Sequence, residues 1–222
     1  MTSGPQGASA KLDPSIAAKI RQLLDQQDDP DFVRECVWRF VDYAKEICSQ
    51  AKRAALGVVL IVFAFELLNR GLISEASITN FKLSELGFLL PILPVLASYL
   101  LLRIALLERE YDIFQDIYLE LTRQALPGFW KSDLDVLLWP NMNPTIGQIP
   151  KSFIGRGRSL IMLGSNFEGA IIMALPVVFL VHAYTELFED NGFHSAPVWV
   201  SFALSAGLQV MAFLNMIVKS RS

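Results

Sequence analysis

Two hydrophobic rhythms run along single stretches of this chain. Asp29-Pro30 reads as a helix N-cap followed by proline at the first helical position. From there Val33, Val37, Phe40, Ala44, Ile47 and Ala51 recur at alternating steps of four and three. Arg34, Glu35, Arg39, Asp42, Lys45 and Glu46 fill the other faces, so the pattern predicts a helix in water with one coiled-coil-like seam. No breaker follows. Lys52-Arg53 marks an interface, and Ala54 to about Leu68 is apolar all round apart from Glu66, with Arg70 closing the run.

The same transition occurs in reverse further on. An apolar run from about Leu86 to Leu107 passes without a break into Leu107, Tyr111, Phe114, Tyr118, Leu121 and Ala125, again at steps of four and three, and Pro127-Gly128 ends it. Pro91 and Pro94 fall inside this apolar run and predict a kink or local unwinding. Apolar runs joined by the short polar stretch 71–84 must be antiparallel neighbours, so their extensions are predicted to pack seam to seam as a hairpin. An earlier, shorter stripe of Ile16, Ile20, Leu23 and Leu24 follows Asp13-Pro14.

Charge is segregated to match. Gly87 to Leu102, Gly169 to Thr185 and Asn191 to Val218 hold no Asp, Glu, Lys or Arg. A helix in water needs a wet face, whereas one crossing about 30 Å of hydrocarbon needs about 20 apolar residues. The predicted fold is therefore an all-α integral membrane protein: four transmembrane helices, with a cytosolic helical hairpin extending the first two spans. Residues 1–12 read as a disordered tail and 13–53 as cytosolic amphipathic helices. Residues 54–107 read as the first transmembrane hairpin, and 108–158 as a cytosolic helix followed by an irregular surface segment. Residues 159–218 form the second transmembrane hairpin, bent at Pro176 and turning through the acidic stretch Glu186 to His194, and 219–222 a cytosolic tail.

Composition adds little to this. The apolar fraction is 53%, mean hydropathy is +0.40 and net charge is −3, which gives no basic footprint for nucleic acid. Basic residues set the orientation: Arg39, Lys45, Lys52 and Arg53 precede the first span, Arg109 to Arg158 separate the second and third, and Lys219 and Arg221 follow the fourth. The other two loops are mainly acidic. Both termini are predicted cytoplasmic, in a bacterial inner membrane or a plasma membrane, and Met1 to Lys11 lacks the apolar core of a cleavable signal. Cys36 and Cys48 read as reduced, half-buried thiols.

Ionisable and amide groups at membrane depth are the candidates for function. From about 1.5 Å of rise per residue, Glu168 lies roughly 13 Å above the inner boundary, Gln209 roughly 12 Å above it, and Ser98 near the same level. With Asn166 nearby they predict one polar layer, either a cation or proton site or a hydrogen-bonded clasp between helices. Glu66 sits in the outer half of its span, one turn from Arg70. It is either half of an intrahelical pair or an acidic ring at a shared pore mouth. Small residues four apart (Ser201 and Ser205, Ala203 and Gly207, and Gly164 through Ala174) predict close helix packing or a subunit interface. Lys151, Arg156 and Arg158 are candidate contacts for lipid headgroups.

No nucleophile elbow, Walker loop, zinc-protease motif or paired CxxC is present, and two histidines are too few for a histidine-based metal centre. The resulting expectation is a multi-pass membrane protein without catalytic role, metal or cofactor. It acts as an assembly or regulatory component whose partners are membrane lipid and either further copies of itself or a membrane protein. The contact surfaces are the seam of Val33, Val37, Phe40, Ala44 and Ile47 with Leu107, Tyr111, Phe114, Tyr118 and Leu121, and the small-residue faces. The alternative is an oligomeric ion channel or transporter using Glu66 or Glu168.

Overall fold

A computed structural model of the chain describes residues 18–19, 22, 30–70, 89–125, 140 and 158–219, and side chains within them except at 30, 124–125, 158–173 and 217–219. The Asp13-Pro14 helix start, its apolar stripe, the loop 71–84, Lys151 and Arg156 lie outside these residues. The described residues are all helical apart from turns, in four helices: α1 (Pro30–Asn69), α2 (Ile92–Ala125), α3 (Arg158–Asn191) and α4 (Ala196–Lys219). They divide between two compact units. The first takes α1 to Gln50 and α2 from Leu107; the second takes the rest of α1 and α2, with α3 from Met162 and α4 to Ile217.

In the first unit the two seams face each other. Val37, Val41, Ala44, Ile47 and Cys48 of α1 are buried, as are Leu107, Tyr111, Tyr118 and Leu121 of α2. Phe40 packs on Phe114 with ring centroids 5.9 Å apart, and Tyr43, one turn on, reaches Glu110, one turn back, so the helices run antiparallel. The outer face of α1 carries exposed pairs one turn apart, Arg34–Asp31, Arg39–Glu35 and Lys45–Asp42. Each such pair contributes only a few tenths of a kcal/mol, so the seam holds the hairpin.

The second unit has its core in Phe65, Ala97, Phe179, Leu180, Ala183, Tyr184, Leu187 and Val198. At Gly57 α1 packs closely on α2, since a Cβ there would lie 2.8 Å from Leu100 Cδ1. Two expectations change here. The helix predicted to start near Leu86 starts at Ile92, after a tight turn at 89–91. Pro94 therefore lies in its first turn, where no partner is needed for the missing N–H, and the prolines begin the helix rather than kink it. The predicted acidic turn from Glu186 is instead the last part of α3, because Leu187 and Phe188 keep a helical apolar face on the core. The true turn is Gly192–Ser195. Gly192, at φ 73°, donates to the Phe188 carbonyl (3.0 Å), and Trp199 N–H to the Ser195 carbonyl (3.3 Å).

Among the described residues one helix, Ala196–Met216, is long and apolar enough to cross a membrane. In α1 and α2 charge placement shortens the apolar stretch. The run free of charge in α1 ends at Glu66 and that in α2 at Arg103, after 12 and 11 helical residues. These rise only about 18 and 17 Å.

Asp116 supplies a test of the first unit. Asp112 and Asp116, one turn apart on α2, are both half-buried. Burial, and then the neighbouring Asp112, push the Asp116 carboxyl above the usual carboxylate range. A raised folded-state value means that Asp116 favours the fold below the ordinary aspartate range, and that this advantage is lost as pH rises through the folded value. Asp116→Asn is expected to raise the thermal midpoint at pH 7 but not at pH 3. An equal shift at both would exclude ionisation as the cause.

Candidate functional site

Three groups of polar side chains stand out, and each forms because a helix face brings it to a neighbour at the right level.

The first belongs to the hairpin. Tyr43, one turn beyond Phe40, donates its hydroxyl to Glu110 Oε1 at 2.6 Å, and Tyr111 donates to the Pro140 carbonyl at 2.6 Å. Of the seam residues named from sequence, Val33, Phe40 and Phe114 are half-buried and the rest fully buried. The seam is thus satisfied within the chain, and a partner can meet the hairpin only on its outer faces. Tyr43 was missed because it flanks the apolar stripe; the signal was its position three residues after Phe40.

The second group surrounds Glu66. Its Oε2 accepts from Arg70 Nε at 3.1 Å, and its Oε1 lies 2.7 Å from His182 Nε2 on α3. A carboxylate only accepts, so the ring proton is assigned to Nε2. On the other side of the ring, His182 Nδ1 is 3.9 Å from Glu186 Oε1, and Asn69 donates to Glu186 Oε2 at 3.2 Å. Phe65, fully buried, meets the ring edge to face at 6.4 Å. Glu66 is therefore a tie between α1 and α3 rather than a carboxylate turned outward toward an axis. The His182 contribution was not legible because it comes from 116 residues away.

The third group is a chain of hydroxyls. Tyr184 Oη lies 2.7 Å from both Ser201 Oγ and Ser205 Oγ, and Ser201 donates to the Pro91 carbonyl. A carbonyl only accepts, which fixes every proton: Ser205 donates to Tyr184, Tyr184 to Ser201, and Ser201 to Pro91. The small residues Ser201 and Ser205 thus serve an internal network tying α3, α4 and the start of α2. Ala203 and Gly207 face outward, and a Cβ at Gly207 would meet nothing within 4 Å.

Of the predicted polar layer, only the side chains of Ser98 and Gln209 are described. Ser98 is fully buried and donates to the Pro94 carbonyl of its own helix at 2.8 Å. Gln209 lines a groove between α3 and α4. Tyr184 against Ser201 and Ser205, with Phe188 against Trp199, sets the α3–α4 register. Carried along the helices, this register puts Gln209 opposite Val178, and Glu168 ten residues, or roughly 15 Å, from that level. The side chains of Asn166, Glu168 and Arg158 lie outside the described residues. Among the described residues no group of three or more His, Cys, Asp or Glu can hold a metal ion.

Comparison with known protein families, characterised proteins and solved structures gives no match.

The hydroxyl chain yields a direct test. Tyr184→Phe keeps the ring's packing but leaves Ser205 without its acceptor and Ser201 without its donor. A loss of about 1–3 kcal/mol is expected in unfolding titrations in mixed micelles. Unchanged stability would show that the network carries none of the packing.

Proposed function

We propose that the chain is a four-span membrane protein with a cytosolic helical hairpin, and that it works as a non-enzymatic assembly or regulatory component. The observation that carries this reading is a change in what single helices present outward. On α1 the outward side chains before Lys52 are mostly charged, Arg34, Glu35, Arg39, Asp42, Lys45 and Glu46 beside Trp38 and Tyr43, whereas after Arg53 they are Leu56, Val59, Leu60 and Phe63, each 56–61% exposed. On α2 the order reverses: Ile92, Leu96, Tyr99 and Leu106 are exposed, with Arg103 among them, before Arg109, Ile113 and Arg123.

In water, large side chains left outward forgo about 1.5–3 kcal/mol each of burial. Facing lipid they forgo nothing. The short charge-free runs of α1 and α2 fit the same reading, because Glu66 is held by Arg70 and His182, and Arg103 can snorkel to headgroups. No catalytic constellation accompanies these ties. The tie of Glu66 to α3 disfavours its use as a pore ring, so the channel alternative rests on Glu168 alone.

Two measurements test the reading. Single cysteines at Phe63 and Val200 should be quenched by nitroxides on acyl chains, and one at Asp42 should react with a water-soluble maleimide. Discs of native membrane cut out by an amphipathic polymer should hold the chain together with further copies or another protein. One chain alone per disc overturns the assembly role, and water access at Phe63 overturns the membrane topology.

A further inference from the structure

Two helices of the second unit each present a stripe that begins with an arginine and continues apolar. On α1, Arg53, Leu56, Leu60 and Phe63 recur at steps of three and four, and all are exposed. On α2 the stripe runs backwards along the chain, Arg103, Tyr99, Leu96 and Ile92, at the same kind of step, and all are again exposed. Residues so spaced share one helix face.

Both stripes border one contact. Gly57 packs on Leu100. Arg53 lies four residues before Gly57 and Leu60 three after it; Leu96 lies four before Leu100 and Arg103 three after it. Because the helices are antiparallel, Arg53 shares a level with Arg103, and Leu60 with Leu96. Each of these residues is turned by about 40–60° from its contact residue, in the same sense on both helices, which for an antiparallel pair is one side of the contact. The other side holds Ala54, Val58, Ala97 and Ser98, all buried. The stripes are therefore the two walls of one outward groove, with an arginine from each wall at the same end. Lys52 is exposed beside Arg53, and neither 51–65 nor 92–107 contains an Asp or Glu.

We propose that this groove seats one anionic phospholipid of the inner leaflet, its phosphate between Arg53 and Arg103 and one acyl chain along each stripe. This rests on the four-span reading and names a lipid partner for it. Charge and length select the occupant. A phosphate accepts paired N–H bonds from each guanidinium, and these two stand at one level on segments without a carboxylate. A zwitterionic lipid brings its own cation to that level and loses the match. A second copy of the chain inserted in the same sense would bring two more arginines there. Arg53 to Phe63 rises about 15 Å, and Arg103 to Ile92 about 17 Å. Half of a hydrocarbon core of about 30 Å is the same length, so each stripe covers an acyl chain over one leaflet.

The test uses the full-length chain in phosphatidylcholine vesicles with a minor share of phosphatidylglycerol carrying a photoreactive diazirine on its acyl chain. Sites of attachment are mapped by mass spectrometry. Attachment is expected at Leu60 and Leu96 in preference to Val200 on α4, and diazirine phosphatidylcholine should show no such preference. Arg53→Gln and Arg103→Gln are each expected to lower attachment at Leu60 and Leu96 about fivefold, the size of one basic side chain at a membrane surface. Arg39→Gln, in the hairpin, should leave it unchanged. Unaltered attachment at Val200 shows that each variant still folds and inserts, and the comparison of the two lipids on the wild type needs no variant.

Equal attachment of both lipids along the stripes would overturn the proposal and leave the four-span reading standing. So would a preference that survives Arg53→Gln and Arg103→Gln combined. Suppression by free glycerol phosphate, at matched ionic strength, as complete as by unlabelled phosphatidylglycerol would make the headgroup the whole ligand and overturn the two-chain seat. Attachment at Val200 with none at Leu60 or Leu96 would mean that protein covers the groove. No attachment at any of the three would overturn the four-span reading as well.

Discussion

The second unit is built under one constraint: large apolar side chains cover much of its outside, so the hydroxyls turned inward are answered from within. Leu56, Phe63, Val178, Val181, Val200 and Leu204 point outward, while Ser98, Ser201 and Ser205 are buried. The serines are not idle in that position. Ser98 shares the Pro94 carbonyl, and the other two sit on either side of Tyr184 in a chain whose direction is set by the Pro91 carbonyl. Small residues gain twice by this inversion. They let helices approach, as at Gly57, and their hydroxyls spare the backbone and tyrosine groups from facing an apolar surround.

The first unit obeys the opposite rule with the same two helices. Its outer face is charged and its seam apolar, so burial of Val41, Ile47, Tyr118 and Leu121 holds it, and the surface ion pairs decorate it. Asp116 shows the cost of departing from that rule. Half-covered and beside Asp112, it holds its charge less readily than a solvated aspartate. A continuous α1 therefore carries two surface compositions, with Lys52-Arg53 at the change.

Much of this was legible because period and charge are one-dimensional signals. The steps of four and three from Val33 and from Leu107 fall on the buried faces of α1 and α2. The errors came where position relative to an end decides the outcome. Pro91 and Pro94 read as a kink when the helix was started at Leu86, and as a beginning once it starts at Ile92. Glu186, Glu189 and Asp190 looked like a loop, although Leu187 and Phe188 hold that stretch in helix. The level of the proposed polar layer depends on helix ends in the same way. Depths counted from two guessed helix ends carry both errors, whereas the contacts of Tyr184 and Phe188 with α4 fix the level directly. Partners such as Glu66 and His182, far apart in sequence, have no periodic signal at all.

Glu66 and Gln209 illustrate how the kind of polar group sets the strength of a contact. A carboxylate is costly to leave unanswered among apolar side chains, and Glu66 is held inside the unit by Arg70 and His182. An amide is uncharged, and turning it toward lipid costs far less than exposing an ion.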